Sequence, residues 1–126
     1  FRPIFGPFEA GLARFVKLDK PDFIGKAAAQ KEKQDGPKKT RICMVVDALD
    51  AEVMGDEPIW VNGKVEGWVT SGGYGHYVKQ SLAQGYIPTA CLQPGMKLEI
   101  EILGERRAAT LQMEHPFDPQ ALRMRM

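Results

Sequence analysis

The segment richest in chemically useful side chains is residues 70–76 (TSGGYGH), which combines two hydroxyls, one phenol and one imidazole with three glycines. Because glycine lacks a Cβ atom, such backbone can approach a ligand closely or adopt positive φ angles. The segment is therefore either a loop that lines a binding site or a crossover between strands that needs glycine for its bends. Its spacing matches neither Gly-x-Gly-x-x-Gly nor a phosphate-binding loop with its lysine, which argues against phosphate binding.

The histidines and cysteines do not suggest a metal site. His76 and His115 are far apart with no carboxylate at a ligand spacing, and Cys43 and Cys91 belong to no Cys-x-x-Cys pair. A structural zinc site takes four such ligands. We expect ordinary hydrogen-bonded histidines and buried, unreactive thiols, the alternatives for the thiols being a disulfide, a metal ligand or a nucleophile. No serine lies in a nucleophile-elbow pattern, so we predict no catalytic residue and no metal in this chain.

Two further pairs of residues have both a structural and a functional interpretation. Trp60 and Trp68 lie on the two arms of one predicted hairpin, where they are either barrel core or an aromatic wall for a flat heterocycle. Glu9 and Arg14 lie near a predicted junction, where they either meet a polar ligand or pair with another part of a larger protein.

The composition excludes several classes of protein. Seventeen Lys and Arg residues against sixteen Asp and Glu residues give a net charge of +1, so no strong field attracts a polyanion and we expect no nucleic-acid partner. The apolar runs are far shorter than the roughly 20 residues that cross a bilayer, so we expect no membrane partner. These features favour a cytoplasmic protein, or one of the mitochondrial matrix in a eukaryote. Because the chain opens on Phe1, we expect a processed or truncated chain.

The first third of the chain predicts one helix and a junction. Asp22 is a candidate N-cap, the following residues are good helix formers, and Asp35-Gly36-Pro37 is a strong stop, which predicts a helix over residues 24–34. Residues 9–18 fit a short strand as well as a helical turn. The periodicity then changes, which divides the chain into a lead-in segment (residues 1–38) and a C-terminal domain (residues 39–126).

The rest of the chain is β in character. Residues 41–47 alternate with a period of two, and Asn62-Gly63 between two apolar runs is typical of a type I′ hairpin. Further strands are predicted over residues 82–87, 98–102 and 109–113, with a turn near Gly104-Glu105. About six short antiparallel strands with short turns favour closure, so we predict a mostly β fold, a small antiparallel β-barrel of jelly-roll-like character after one helix.

The order of short motifs resembles one known family. Residues 9–12 (EAGL), 16–20 (VKLDK) and 22–25 (DFIG) resemble the segment that joins the folate-binding core to the last domain in the glycine-cleavage T-protein, or aminomethyltransferase, family. Downstream motifs are similar to the family's glycine-rich barrel signature and closing pattern: residues 67–75 (GWVTSGGYG), 81–87 (SLAQGYI), 94–95 (PG) and 116–119 (PFDP). The lead-in motifs look most like the flavin-linked branch, the dimethylglycine and sarcosine dehydrogenases.

This resemblance implies a C-terminal barrel that forms one wall of a tetrahydrofolate channel, with upstream domains of the same parent chain as its partners. In the flavin-linked branch a separate FAD domain oxidises an N-methyl amine, and the folate part captures the one-carbon unit as methylenetetrahydrofolate. FAD would then belong to the parent protein and not to this fragment. The resemblance makes Glu9, Arg14, Gly72, Gly73 and Tyr74 the candidates for the channel wall, none of them as acid, base or nucleophile.

Two other functions stay open. The same barrel serves non-flavin relatives, either an aminomethyltransferase proper or a folate-dependent demethylase. A purely structural barrel that supports a partner and contacts no ligand is the third hypothesis. Under all three we expect no turnover from this fragment alone.

Overall fold

A computed structural model describes residues 2–48, 50–93 and 95–125. Six strands make up most of it: β1 (Lys39–Val46), β2 (Pro58–Val61), β3 (Lys64–Gly75), β4 (Gln80–Pro88), β5 (Leu98–Ile102) and β6 (Glu105–Gln112). Every pair is antiparallel, and the strands close into a barrel in the order β1-β4-β3-β2-β5-β6. The predicted mostly β fold with a closed antiparallel barrel is confirmed.

One helix, α1 (Lys26–Asp35), precedes the barrel. It ends at Asp35, one residue later than predicted, at the predicted stop, where Gly36 has a φ of +79°. Its start is two residues later than predicted, and Asp22 is not its cap, because Gly25 in a left-handed conformation (φ +89°) directly precedes the first turn. The segment that fitted either a strand or a helical turn holds a short 3-10 helix at Ala13–Phe15.

The turns follow their residue types closely. Asn62 and Gly63 have φ angles of +50° and +82°, the two positive values that a type I′ turn requires, so the predicted hairpin between β2 and β3 is confirmed. The turn between β5 and β6 uses Leu103 and Gly104 in the same way, at +51° and +83°. It lies one residue before the position predicted from the sequence. Pro94 of the predicted closing pattern lies outside the described residues.

The glycine-rich segment is strand rather than loop. β3 continues to Gly75, with Gly72 opposite Ala83, Gly73 opposite Leu82 and Tyr74 opposite Ser81 on β4. A register shift between Val69 and Ser71 adds a bulge. The loop interpretation was wrong because β4 is long enough to pair with this whole stretch, and its backbone hydrogen bonds outweigh the weak strand preference of glycine.

The two tryptophans face outward. In β2 the inward side chains are Ile59 and Val61, so Trp60 between them points to the outer face, and Trp68 is 53% exposed. The Trp60 indole Nε1 donates to Glu101 Oε2 at 2.9 Å, and the Arg106 guanidinium lies 3.4 Å from its ring centroid. The core interpretation of both tryptophans was wrong, since strand alternation, not side-chain size, decides which face a residue occupies.

The barrel interior is filled by one apolar cluster. It is built from alternate residues of five strands and from the loop after β1: Ile42, Met44, Val46, Ala48, Val53, Ile59, Val61, Val69, Ala83, Ile87, Leu98, Ile100 and Ile102. β6 has no fully buried residue, and its Arg107 lies opposite the inward Ile100. The Arg107 guanidinium contacts Asp50 Oδ1 at 3.1 Å and Glu105 Oε2 at 2.7 Å. An ion-paired arginine therefore covers one end of the apolar interior.

Two glycines on neighbouring strands allow the sheet to close tightly. A Cβ atom on Gly85 would lie 2.5 Å from Ile59 Cδ1 and 2.6 Å from the Trp68 carbonyl oxygen. A Cβ atom on Gly67 would collide with the Tyr86 carbonyl oxygen. Here β3 and β4 thus pack at a distance that only glycine permits.

We predict that Gly85→Ala lowers the free energy of unfolding by about 3 kcal/mol, because the new methyl group must displace both a core side chain and backbone. Gly73→Ala is the matched control, since no atom lies within 4 Å of the place that its new methyl group would take. It should change stability by less than about 0.5 kcal/mol. Urea unfolding of both variants measures the difference, and equal midpoints would contradict the close-approach argument.

Candidate functional site

Glu9 joins the lead-in segment to the first strand. Its carboxylate accepts hydrogen bonds from the Gly6 backbone N–H at 3.2 Å and from the Lys39 backbone N–H at 3.0 Å. Its own carbonyl oxygen accepts from the Arg41 N–H at 3.0 Å. Both carboxylate oxygens are therefore occupied by the protein's own backbone.

The lead-in segment is also tied to α1. The Glu9 backbone N–H donates to Glu32 Oε1 at 3.1 Å. A methyl group on Gly6 would overlap this carboxylate, so the Glu32 side chain would have to shift to make room for it. The charge at Glu32 thus positions the backbone of a predicted site residue, a role that no local pattern indicates.

Arg14 is separate from Glu9. It lies in the 3-10 helix, is exposed, and its guanidinium stacks 4.6 Å from the ring centroid of the neighbouring Phe15. In the described part of the chain, Arg14 makes this one contact, with the residue next to it in the sequence. Arg14 is free to meet another polypeptide or a ligand.

Gly72, Gly73 and Tyr74 lie together near the other end of the barrel. Gly72 packs against Val53 so closely that a methyl group on it would lie only 2.6 Å from the Val53 Cβ, whereas Gly73 faces open space. Tyr74 is 45% exposed, and its ring makes an edge contact with His76 at 5.1 Å between centroids.

The predicted site residues fall into two groups. Glu9 contacts Lys39 at the start of β1, while Tyr74 pairs with Ser81, which pairs with Val46 at the end of β1. Lys39 and Val46 are seven residues apart in the strand, about 23 Å at roughly 3.3 Å per residue. The structure therefore brings Gly72, Gly73 and Tyr74 together and keeps Glu9 at the opposite end, while Arg14 lies further along the lead-in segment.

A polar groove of about 560 Å³ lies beside Tyr74, at the end of the barrel where β1 ends at Val46. Asp47, Glu52, Lys79 and Ser81 contribute its polar side chains, and the Ser81 hydroxyl lies 3.0 Å from both Glu52 carboxylate oxygens. These groups can donate and accept hydrogen bonds. In the described ranges no group of three or more His, Cys, Asp and Glu side chains has the arrangement to hold a metal ion.

The thiols are free and half-buried. Burial raises the pKa of the Cys43 thiol, and the nearby Arg41 guanidinium only partly opposes this effect. Burial also raises the pKa of Cys91, with the Glu66 carboxylate acting in the same direction. Both thiols are thus poorer nucleophiles at neutral pH than an exposed cysteine.

Tyr86 anchors the lead-in segment on the outer face of β4, which the sequence does not reveal. Its ring stacks on Phe5 with centroids 3.7 Å apart and planes 8° from parallel. Tyr86 is 4% exposed, and burial raises the pKa of its phenol, while Arg41 acts to lower it. The alternation of β4 places Tyr86 on the outer face, but only the fold shows that Phe5 covers it.

Comparison with known proteins gives a consistent result. The profile described as "Glycine cleavage T-protein C-terminal barrel domain" matches residues 39–118. Mitochondrial dimethylglycine dehydrogenase of Mus musculus is 44% identical over 109 residues, 86% of this chain and 12% of that protein. The aminomethyltransferase of Parasynechococcus marenigrum (strain WH8102) is 35% identical over 112 residues, 88% of this chain and 30% of that protein.

A solved structure agrees with these relatives. The glycine cleavage system aminomethyltransferase T of Bartonella henselae matches with a TM-score of 0.80 and 28% identity, over 94% of this chain and 33% of that one. The chain therefore spans between 12% and 33% of the length of these relatives.

The fold is thus that of a small closed barrel domain with a helical lead-in. Since the family profile covers well over half of the residues, the chain belongs to the glycine cleavage T-protein C-terminal barrel domain family. The resemblance drawn from the sequence motifs is confirmed. Within the described residues, no helix has both the length and the apolar character that crossing a bilayer demands.

We predict that Glu9→Ala lowers the free energy of unfolding by about 2 kcal/mol, because two backbone N–H groups lose a charged acceptor. Amide hydrogen exchange at Lys39 should accelerate in the same variant. Arg14→Ala is the control, since this exposed side chain makes no comparable bond within the described ranges, and its effect should stay within about 0.5 kcal/mol. If both variants unfolded at the same denaturant concentration as the unmodified chain, Glu9 would not have this structural role.

Proposed function

We propose that this chain is the C-terminal domain of a tetrahydrofolate-dependent one-carbon-transfer enzyme, in which it forms one wall of the folate channel. Family membership supports the proposal, and the fraction of each relative that the chain covers supports a larger parent protein. In this role Gly72, Gly73 and Tyr74 line the channel directly. The wall then follows the barrel axis, with Arg14 at the far end and Glu9 holding the lead-in segment in place.

We further propose that the parent is a FAD-linked enzyme of the dimethylglycine or sarcosine dehydrogenase type, which makes methylenetetrahydrofolate. The observation that carries this step is the difference in identity between two groups of relatives. Three dimethylglycine dehydrogenases are 40–44% identical over 109 residues. Four aminomethyltransferases are 34–38% identical over 100–112 residues, and a fifth is 42% identical over a shorter stretch of 81 residues. FAD would be bound by upstream polypeptide. The mammalian relatives are named mitochondrial, which favours the mitochondrial matrix in a eukaryote and the cytoplasm otherwise.

The second candidate is a non-flavin aminomethyltransferase or folate-dependent demethylase. It is favoured by the Bartonella henselae structure, which covers 94% of this chain. The absorbance spectrum of the purified parent protein separates the two candidates, because only the first predicts a bound flavin. A purely structural barrel predicts that no substitution on its surface alters the use of folate.

We predict that Tyr74→Phe in the parent enzyme raises the KM for tetrahydrofolate about fivefold, the effect of one lost hydrogen bond of roughly 1 kcal/mol. Steady-state kinetics with varied tetrahydrofolate measure it. Val65→Ala, an exposed site near the other end of β3, is the control and should leave KM unchanged. If both variants had the same KM, Tyr74 would not line the channel wall, and the purely structural barrel would be favoured.

The lead-in segment is proposed to be the edge of the folate-binding core, with the barrel domain beginning at Lys39. Only Ala29 is buried in α1, and in the described part of the chain no strand makes extensive contact with this helix. Phe15 is 65% exposed and Ile24 fully exposed, beside an apolar groove of about 500 Å³ between the 3-10 helix and α1. These side chains lack the burial that apolar residues normally reach, so upstream polypeptide of the parent is the proposed cover.

We predict that Ile24→Ser leaves the stability of the 126-residue chain unchanged within about 0.5 kcal/mol, because the side chain is already exposed. In the parent protein the same substitution should cost about 2 kcal/mol, the value of burying such a side chain. Leu103→Asn, similarly exposed at the turn between β5 and β6, is the control. Thermal unfolding of both forms measures the contrast, and an unchanged parent protein would contradict the proposed docking.

A further inference from the structure

The C-terminal tail, residues 113–125, crosses the outside of the barrel after β6 ends at Gln112. None of its residues is fully buried, and Met113, Leu122 and Met124 are 83%, 58% and 86% exposed. A segment with so little buried apolar surface gains little from packing. Its position must therefore depend on a few specific contacts.

Those contacts converge on Tyr77, in the turn between β3 and β4. Arg123 Nη2 donates to the Tyr77 hydroxyl at 2.9 Å, and the guanidinium lies 5.1 Å from the Tyr77 ring centroid and 5.3 Å from that of Phe117. The Tyr77 and Phe117 rings meet edge to face at 4.7 Å. Arg123 therefore joins the tail to the barrel through a hydrogen bond and a ring contact with the same side chain.

The tail is organised internally to present Arg123. Both Asp118 carboxylate oxygens accept backbone hydrogen bonds, from Leu122 at 2.8 Å and from Arg123 at 3.1 Å. The Ala121 N–H donates to the Asp118 carbonyl at 2.8 Å. These bonds hold the start of the short 3-10 helix at Leu122–Arg125.

A groove of about 420 Å³ lies between this tail and the outer face of β1. The strand side contributes residues 40–43 of β1, and the tail side contributes residues 113–115 with Pro119 and Gln120. Cys43 faces this groove because its neighbours Ile42 and Met44 point into the barrel. The tail therefore forms the outer wall of a groove that contains the Cys43 thiol. The rate at which this thiol reacts measures how accessible the groove is.

We propose that residues 113–125 form a strap that closes the groove over β1, and that the Arg123–Tyr77 contact is the latch of this strap. When the latch opens, the tail moves away and the groove, including Cys43, becomes accessible. The contact comprises one hydrogen bond and one cation–π interaction at exposed positions, each of which is individually weak. The closed and open states are therefore close enough in free energy for both to be populated.

The rate of thiol labelling at Cys43 tests the latch. In a Cys91→Ser background, so that Cys43 alone reacts, Arg123→Gln and Tyr77→Ala should each label about five- to thirtyfold faster, the factor expected when contacts of this kind are lost. Arg125→Gln removes the same charge two residues further on and should label at the unmodified rate. Tyr77→Phe keeps the ring but loses the acceptor, and it should give an intermediate rate.

A chain ending at Gln112 provides the open reference, with circular dichroism to confirm that each barrel is folded. The proposal requires this reference to label fastest, with the latch variants between it and the unmodified chain. It is overturned if the unmodified chain labels as fast as the truncated one, because the tail then covers nothing. It is equally overturned if Arg123→Gln and Arg125→Gln label at the same rate, because the contact with Tyr77 then does not keep the tail over the groove.

Discussion

Closure of the sheet is the constraint on which the rest of this structure depends. β1 pairs with β4 on one side and with β6 on the other, so that each strand has two hydrogen-bonding neighbours and no edge remains among the described strands. A ring of only six strands is narrow, and its interior is filled by the side chains of Val, Ile, Leu and Met without room for a ligand. Any functional surface of the domain must therefore lie on the outer face or at the barrel ends. This geometry explains why every polar feature described above is external.

The outer face is occupied unevenly. The lead-in segment covers Tyr86 and is joined to β1 by Glu9, while the C-terminal tail lies over β1 near Cys43. Between β3, β4 and the loop after β1, the surface around Tyr74 stays open and polar. A barrel with two covered regions and one open region suits a domain that is one wall of a larger cavity.

Glu9 shows how a residue can be important through its bonds to the protein's own backbone. Its carboxylate joins two backbone segments that are far apart in sequence, and charge-assisted bonds of this kind are stronger than neutral ones. The same lead-in segment bears Arg14 and the exposed Phe15. Because Glu9 fixes this segment next to β1, it positions Arg14 and Phe15, which are proposed to face the rest of the parent protein. The effect proposed for Glu9 is therefore that of a positioning residue.

Local sequence determined a large part of this protein. Strand alternation, the Asn62-Gly63 turn and the stop at Gly36 predicted a mostly β barrel after one helix, and the ordered motifs indicated its family. These features depend on residues close together in the chain, where steric preferences act directly. Only the tertiary structure decided that residues 70–75 are strand, that Trp60 and Trp68 face outward, and that Glu9 and Tyr74 lie at opposite ends of the barrel. Those outcomes depend on which distant strand provides the hydrogen-bonding partner and on which side the ring closes, and no short stretch of sequence contains that information.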